Sequence, residues 1–223
     1  MIRNDEQSTN TANETYSLRE DELFDVLESA RKHDARDHAL LCVGYWHGLR
    51  NQEIAKLRLA DIDWLAETIR VQRQKSSMLT VQGLARRKGQ PTMCEVTALK
   101  TWLRQRKSIS DYVFTSRRDD SCLGQRQMNR IFKTYLALAN EARIARGDKA
   151  IPMRPKKDGS GTKWTPLSIH SLKHTAGSIA ADKGSTATDI KMLLGHKSIQ
   201  NSERYIHPSQ RAAWERRMRL ELA

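Results

Sequence analysis

Cysteine, acidic residues and long apolar runs are all in short supply in this sequence. Its three cysteines, Cys42, Cys94 and Cys122, are scattered and odd in number, so they predict neither a disulfide framework nor a zinc-binding spacing. No apolar run approaches the roughly 18 residues that a transmembrane helix needs. The N-terminus is polar and lacks the apolar core of a signal peptide. We therefore expect a chain that works in the cytoplasm or on the nucleoid, with no membrane partner.

The deficit of acidic residues leaves a large positive charge. Lys and Arg number 39 against 26 Asp and Glu, which gives a net charge of +13 and an isoelectric point of about 9.9. This surplus favours a polyanionic partner, because Lys and Arg that neutralise phosphates release condensed counterions. An acidic membrane surface would attract the same charge. A basic, well-solvated surface with no such partner is the third alternative that composition leaves open.

Apolar periodicity predicts a mostly helical chain. Apolar residues recur at helical spacing in nine segments. Two of these segments begin at Ser17 and at Asn51, and the other seven are 35–47, 97–106, 125–143, 168–183, 186–194, 198–206 and 208–222. Ser17 and Glu20 have the spacing of a capping box for the first helix. Ile69 and Val71 alternate with polar residues, which predicts a strand, followed by a hairpin and loop over 75–91. Pro, Gly and Lys predict a loop over 153–166.

These elements predict one domain over residues 17–223, mainly α with a small antiparallel β-sheet. The domain includes a C-terminal helix over 208–222. Residues 1–16, which are rich in Asn, Thr, Ser and Glu, are predicted to form a disordered tail.

Arg50 stands out in the first of three segments that carry chemistry, residues 47–64. It follows Gly48 and Leu49 at the start of a predicted helix. A guanidinium beside free helix-terminal N–H groups suits a phosphate. The alternative is a solvent-exposed arginine or an ion-pair partner for Glu53.

Histidine and lysine share a helix face in the second segment, residues 167–184. His170 and Lys173 are three residues apart, and His174 is four from His170. Two histidines at that spacing can bind a metal, but no Glu or Cys stands beside them to complete a site, so we expect no metal. The alternative is a surface His and Lys pair.

The third segment, residues 193–209, contains a helix stop followed by a tyrosine. Gly195 ends one helix, His196 emerges from the turn, and Tyr205 follows inside a short helix. Taken alone, this segment makes Tyr205 a core residue.

In order and content the three segments resemble the tyrosine recombinase (phage integrase) family, over roughly residues 18–210. The family pattern G-L-R-x-x-E-I starts here at Gly48. The pattern H-x-L-R-H-T starts at His170, with lysine in the arginine's place. The long and specific pattern L-L-G-H-x-S-I starts at Leu193 and ends in Y-x-H at 205–207. Lys75, in the stretch IRVQRQK, is similar to the family's sheet-borne catalytic lysine.

The resemblance implies the family's fold, a tyrosine recombinase catalytic domain, and a role for each residue. Tyr205 is the nucleophile that forms a 3′-phosphotyrosyl link. Arg50 stabilises the charge of the transition state, and Lys75 protonates the leaving 5′-oxygen. His170 accepts the proton of the tyrosine or hydrogen-bonds to it, and His196 donates to a phosphate oxygen. This chemistry needs no metal and no other cofactor.

Lys173 departs from the family pattern, which usually has a second arginine at this position. Lysine keeps the charge but loses the planar, two-pronged donor geometry that grips a phosphate. The resemblance implies a catalytic role for Lys173 in a site-specific recombinase or integrase. Two alternatives stay open: a DNA-binding regulator of the same fold with impaired catalysis, and a type IB-like DNA relaxing enzyme.

The resemblance also implies partners. Double-stranded DNA is the substrate, and four subunits assemble on two sites, with the helix 208–222 docking on a neighbour. The alternative is that this helix packs on its own domain. The chain is similar in size to the short fimbrial phase-variation recombinases. This similarity implies either a less complete grip on DNA or the help of an accessory DNA-bending protein.

Overall fold

Helices dominate the residues that this computed structural model describes, which are 17–74, 79–151, 154–155, 163–164 and 167–206. The helices are α1 (Glu20–His33), α2 (Ala35–Trp46), α3 (Asn51–Ala55), α4 (Glu95–Gln105), α5 (Gln125–Ala145), α6 (Ile169–Asp182) and α7 (Ala187–Leu194). Residues 200–206 are also helical. The expected tail 1–16 and the expected helix 208–222 lie outside the described residues.

One small antiparallel sheet interrupts the helices, as the sequence predicts. Its strands are β1 (Ile62–Asp63), β2 (Thr68–Gln72) and β3 (Leu79–Gly83), in the order β1-β2-β3. Ile69 of β2 pairs with Ile62 of β1 and with Gln82 of β3. Ile69 and Val71 are buried while the residues between and after them are exposed, because successive side chains of a strand point to opposite faces.

A second, two-stranded ladder lies in the stretch expected to be only a loop. Strand β4 (Arg154–Pro155) pairs with β5 (Lys163–Trp164) in antiparallel register. The expected loop over 153–166 therefore contains a short ladder beside the predicted small sheet. Strands of two residues are too short to show an alternating pattern, so the sequence gives no signal for them.

Helix α2 is the centre of the core. Its residues 36–45 are all buried, and it packs against α1, α4 and α6. Ala39, Leu40 and Val43 are fully buried, whereas Trp46 is half-buried and donates to the carbonyl of Met93 at 3.0 Å. A helix surrounded in this way holds its C-terminal end in a fixed place.

Helix α1 begins later than its predicted capping box. The N-cap is Arg19, and its backbone N–H donates to the Glu22 carboxylate at 2.9 Å, so a cap built on Ser17 and Glu20 was wrong. The N–H of Leu18 instead donates to the hydroxyl of Thr175 on α6, at 2.9 Å. A tertiary contact therefore determines where this helix starts.

No helix within the described ranges is long and apolar enough to cross a bilayer.

Truncating Leu40 tests the central place of α2. Its side chain is fully buried, so Leu40→Ala should lower the free energy of unfolding by about 2–5 kcal/mol. Leu65 is 99% exposed, and Leu65→Ala should change it by less than about 0.5 kcal/mol. Urea denaturation of both variants measures the difference. Equal effects would contradict the placement of α2.

Candidate active site

The site is built where two helix ends meet. The first turn, residues 47–49, follows α2, and Gly48 adopts a left-handed φ of 53° there. A Cβ at this position would collide with the side chain of Leu194 on α7. Glycine is therefore required twice over, by its backbone conformation and by the close approach of the two helix ends.

Arg50 lies at the N-cap of α3, as the sequence predicts. Its backbone N–H donates to one carboxylate oxygen of Glu53 at 2.9 Å, and its Nη1 donates to the other at 3.0 Å. The Arg50 side chain is 23% exposed, so part of its guanidinium remains open to an approaching anion. The alternative of a Glu53 partner is thus observed, and it orients the arginine without covering it.

The second turn, residues 193–196, ends α7. Gly195 is the left-handed C-cap, with φ of 60°, and the N–H of His196 donates to the carbonyl of Lys191 at 3.0 Å. The ring of His196 is buried, and its Nδ1 is 2.9 Å from the hydroxyl of Ser202. The predicted helix stop and the emergence of His196 from it are confirmed.

Lys173 joins the two turns. This α6 residue is only 2% exposed, and its Nζ donates to the carbonyl of Gly48 at 2.9 Å and to the carbonyl of Leu194. The surface His and Lys pair considered from the sequence is excluded for this lysine. Burial and then the charge of Arg50 lower the pKa of Lys173 from 10.5 to about 7.

Arg73 joins the same two turns beside Lys173, and sequence analysis missed it. It follows β2 directly, and its Nη2 donates to the carbonyls of His47 at 3.0 Å and Leu193 at 2.8 Å. Its Nη1 donates to Glu53 at 3.2 Å, and its Nε to Thr80 at 3.0 Å. The period of two along the strand was an available signal, since Arg73 is two residues beyond buried Val71.

The backbone carbonyls of the two turns explain why buried cations are needed there. The last carbonyls of a helix have no partner inside the helix, and they form the negative end of its dipole. The C-terminal ends of α2 and α7 face each other here, so their carbonyls would repel one another. Arg73 and Lys173 supply donors and positive charge to both ends.

Arg50, Glu53, Arg73 and Lys173 form one charged cluster, and Glu53 is its carboxylate. Burial raises its pKa, but hydrogen bonds from the N–H groups of Arg50 and Gln74 and the charge of Arg73 outweigh that effect, so the pKa is lowered. Glu53 is therefore ionised. One carboxylate contacts two guanidinium groups, and Lys173 adds further positive charge whenever it is protonated. The excess makes the cluster suited to an anion.

Tyr205 lies beside the second turn and is 4% exposed. Its hydroxyl is 2.8 Å from Nδ1 of His174, and Nη2 of Arg204 donates to it at 3.3 Å. Its ring stacks on that of His196, with centroids 6.3 Å apart and planes 15° apart. Burial raises the pKa of Tyr205, although Arg204 opposes the rise. The phenol is thus protonated at neutral pH.

The tyrosine's hydrogen-bond partner in this structure is His174, whereas the resemblance assigns that contact to His170. The side chain of His170 is exposed, and its ring meets that of His174 edge-on, with centroids 4.8 Å apart. The spacing of four had placed both on one face, but it was considered only for metal binding. Burial first, then neighbouring positive groups, lower the pKa of His174 to about 4. Partial desolvation by the protein atoms around its exposed ring, and then the charge of Lys173, lower the pKa of His170 as well.

Lys75 lies outside the described residues. The residue before it, Gln74, donates its backbone N–H to Glu53 at 3.0 Å. Within the described part of the chain no group of three or more His, Cys, Asp and Glu residues could hold a metal ion.

Comparison with known proteins agrees with this fold. Residues 16–211 match the phage integrase family, and the chain therefore belongs to that family. It is 28% identical over 194 residues to the type 1 fimbriae regulatory protein FimB of Escherichia coli strain K12, covering 84% of this chain and 82% of FimB. It is 27% identical over 175 residues to tyrosine recombinase XerC of Bifidobacterium longum, covering 78% of this chain but 44% of XerC.

Solved structures share the architecture. The XerA recombinase superposes with a TM-score of 0.64 and 22% identity, covering 92% of this chain and 66% of XerA. The XerH recombinase in a post-cleavage complex with its difH substrate gives a TM-score of 0.68 and 21% identity, covering 95% of this chain and 56% of XerH. The chain thus spans about half the length of XerC and XerH. The tyrosine recombinase fold and the family's function, site-specific recombination, are as the sequence predicts.

Gly177 on α6 gives a test of the packing around the tyrosine. A Cβ there would lie 2.9 Å from Cε1 of Tyr205 and 3.0 Å from Cδ1 of Leu194. Helix propensity alone makes Gly177→Ala stabilising by about 1 kcal/mol. We expect the opposite sign, a loss of about 1–3 kcal/mol, because the ring has to move. Gly83→Ala, with open space at its Cβ, is the control in urea denaturation. A more stable Gly177→Ala protein would contradict the packing.

The buried ammonium of Lys173 gives a pH test. An unfolded chain keeps this proton up to about pH 10.4, but the folded pKa is about 7, so between these values the unfolded state binds more protons. Stability should therefore rise with pH over that window. The unfolding free energy of wild type minus that of Lys173→Met should increase from pH 7 to pH 10.

The matched control is Lys56→Met, which removes an exposed lysine. Its difference from wild type should stay constant with pH. A constant difference for Lys173→Met as well would show that the Lys173 ammonium is not held in a buried site.

Proposed function

We propose that this protein is an active site-specific recombinase that cuts and rejoins double-stranded DNA through a 3′-phosphotyrosyl intermediate on Tyr205. The observation that carries the proposal is the placement of Tyr205 beside a cluster with excess positive charge. Its hydroxyl is 2.8 Å from a neutral imidazole. His196 belongs to the second turn, Arg50 directly follows the first, and Lys173 joins the two. Positive groups arranged in this way stabilise both a phosphodiester and the extra negative charge of its transition state.

The cleavage step needs a place for the phenolic proton. As the Tyr205 oxygen bonds to phosphorus, its proton passes to an imidazole nitrogen. His174 lies within hydrogen-bond distance, and His170 packs against its ring, so this pair supplies the acceptor. The lowered pKa values of both keep them unprotonated at neutral pH, and an arriving phosphate would raise their basicity.

The phosphate oxygens need donors. Arg50 has its partly exposed guanidinium aligned by Glu53. Burial and then Lys173 lower the pKa of His196 to about 3, so its ring is neutral. If the hydroxyl of Ser202 donates to Nδ1, the ring N–H is on Nε2 and is free to donate to a phosphate oxygen. Lys75 keeps its expected role of protonating the 5′-oxygen as the P–O5′ bond breaks.

The second half of the reaction reverses the first. A free DNA 5′-hydroxyl attacks the phosphotyrosyl link, the bond to Tyr205 breaks, and the phenol regains its proton. The bond energy is conserved in the link, so neither a nucleotide nor a metal is needed.

Lys173 contributes through position and charge. Its amino group donates to the carbonyls of Gly48 and Leu194, which keeps the first turn against the second, and its protonated form adds positive charge near Arg50. Contact of Lys173 with the phosphate, as the family's arginine makes, stays a prediction.

DNA is the partner that the charge and the comparisons favour. The net charge is +13, and the XerH and lambda integrase structures are described as bound to DNA sites. We propose the same partner here, on the nucleoid. Four copies on two sites, docking through the segment 208–222, and an accessory DNA-bending protein complete the proposal.

A second candidate function is a DNA-binding regulator without cleavage. The observation that favours it is Lys173, because an ammonium engaged by two carbonyls gives no two-pronged grip on phosphate. A DNA relaxing enzyme shares the cleavage chemistry but rejoins the original strands.

A nicked suicide substrate, which loses the strand needed for religation, separates these functions. Wild type should accumulate a covalent protein–DNA adduct, and Tyr205→Phe should form none while binding DNA nearly as well, since only one hydroxyl is lost. Tyr112→Phe, at a half-buried tyrosine outside the cluster, should behave like wild type. Denaturing gel electrophoresis detects the adduct.

Other outcomes would favour a different nucleophile or a different function. Adducts formed by Tyr205→Phe would show that the nucleophile is another residue. Absence of adducts with wild type, despite tight DNA binding, would favour the regulator. Relaxation of plasmid supercoils without exchange between two sites would favour the relaxing enzyme.

A further inference from the structure

Arg73 is the most fully engaged charged side chain of the site. Its side chain is 0% exposed. Its three nitrogens donate to four partners that belong to different parts of the chain: Glu53, Thr80, His47 and Leu193. Burying a guanidinium costs several kcal/mol unless its donors are satisfied, so this arrangement is specific rather than incidental.

Through Glu53, Arg73 acts on Arg50. The Oε2 atom of Glu53 accepts from Arg73 at 3.2 Å, while Oε1 accepts from the Arg50 guanidinium at 3.0 Å. A carboxylate held at one oxygen presents the other in a fixed direction. The orientation of Arg50 therefore depends on the position of Arg73.

Through the second turn, Arg73 acts on His196. The carbonyl of Leu193 accepts from its Nη2 at 2.8 Å. A Cβ at Gly195 would lie 2.6 Å from Cδ of Arg73, so the turn rests directly on the arginine's aliphatic stem. A movement of Arg73 would move the residue after Gly195, which is His196.

We propose that Arg73 is a positioning residue for strand transfer, which holds Arg50 and His196 at the separation that one phosphate requires. The proposal rests on the proposed function. The geometry needs arginine, because donors on three nitrogens point in different directions within one plane. A lysine ammonium carries its three donors on a single nitrogen and cannot reach Glu53, Thr80 and both carbonyls together.

The test compares Arg73→Met and Arg73→Lys with a matched control, Arg143→Met. Arg143 is 4% exposed and pairs with Asp21 and Asp25 between α1 and α5, outside the cluster. Three quantities are measured: the melting temperature, the DNA concentration for half-saturation, and the rate of adduct formation on the suicide substrate at saturating DNA.

If Arg73 positions Arg50 and His196, its substitution should lower the rate of adduct formation more than it lowers DNA binding. Arg73→Met should lower the saturated rate per folded molecule on the order of 10²-fold, because small misplacements of reacting groups cost that much. Its half-saturating DNA concentration should change only a few-fold. Arg73→Lys should recover part of the rate, and Arg143→Met should lower the melting temperature without lowering the rate per folded molecule.

If Arg73 only stabilises the fold, its substitution should not lower the rate per folded molecule specifically. If Arg73→Met and Arg143→Met have the same rate per folded molecule, or if rate and DNA binding fall together, the proposal is overturned. Should Arg73→Met fail to fold, Arg73→Lys decides: a wild-type rate at reduced stability also overturns it.

Amide hydrogen exchange separates this proposal from the proposed function. In Arg73→Lys, exchange should accelerate selectively over residues 48–53 and 193–197, and in Arg143→Met it should not. If wild type forms no adduct but this selective opening occurs, strand transfer is wrong while the positioning of the two turns by Arg73 stands. Without selective opening, the positioning proposal fails.

Discussion

The site depends on the satisfaction of two helix C-termini that face each other. The carbonyls at the ends of α2 and α7 are the negative ends of two dipoles, and most have no hydrogen-bond partner within their own helix. Arg73 and Lys173 donate to consecutive carbonyls of both turns: His47 and Gly48 in the first, Leu193 and Leu194 in the second. Two cations from outside the turns thus allow the helix ends to approach.

This constraint links the sheet, the core and the site. Arg73 follows β2, Lys173 is part of α6, and α2 is buried on every side. The same contacts concentrate positive charge, because Glu53 offsets only part of it. In the proposed function the charge that joins the turns has a second role, because it also favours the phosphate that Arg50, His196 and Tyr205 would contact.

Local pattern was sufficient for much of the fold. Helical periodicity placed α2 and α5, strand alternation placed β2, and the glycine before His196 marked the end of α7. Each of these signals comes from neighbours within one or two turns of the chain. The family patterns then assigned roles to Arg50, His196 and Tyr205.

What the sequence missed are contacts between distant segments. Arg73 and Leu193 are 120 residues apart, and His174 and Tyr205 are 31 apart, so no spacing rule brings them together. A shared helix face did indicate that His170 and His174 are neighbours, but which ring reaches the phenol depends on how the segment 200–206 packs on α6. The sequence likewise shows that residue 73 is positively charged, but nothing in it indicates that this side chain contacts backbone carbonyls.

A crystal structure of the Tyr205→Phe protein on a DNA duplex selected by binding tests the central claim most directly. We predict one phosphate whose oxygens accept hydrogen bonds from both Arg50 and His196, beside the ring at position 205. Arg73 should still donate to the carbonyls of His47 and Leu193. A phosphate held by only one of the two turns, or turns separated with the Arg73 contacts broken, would contradict the account.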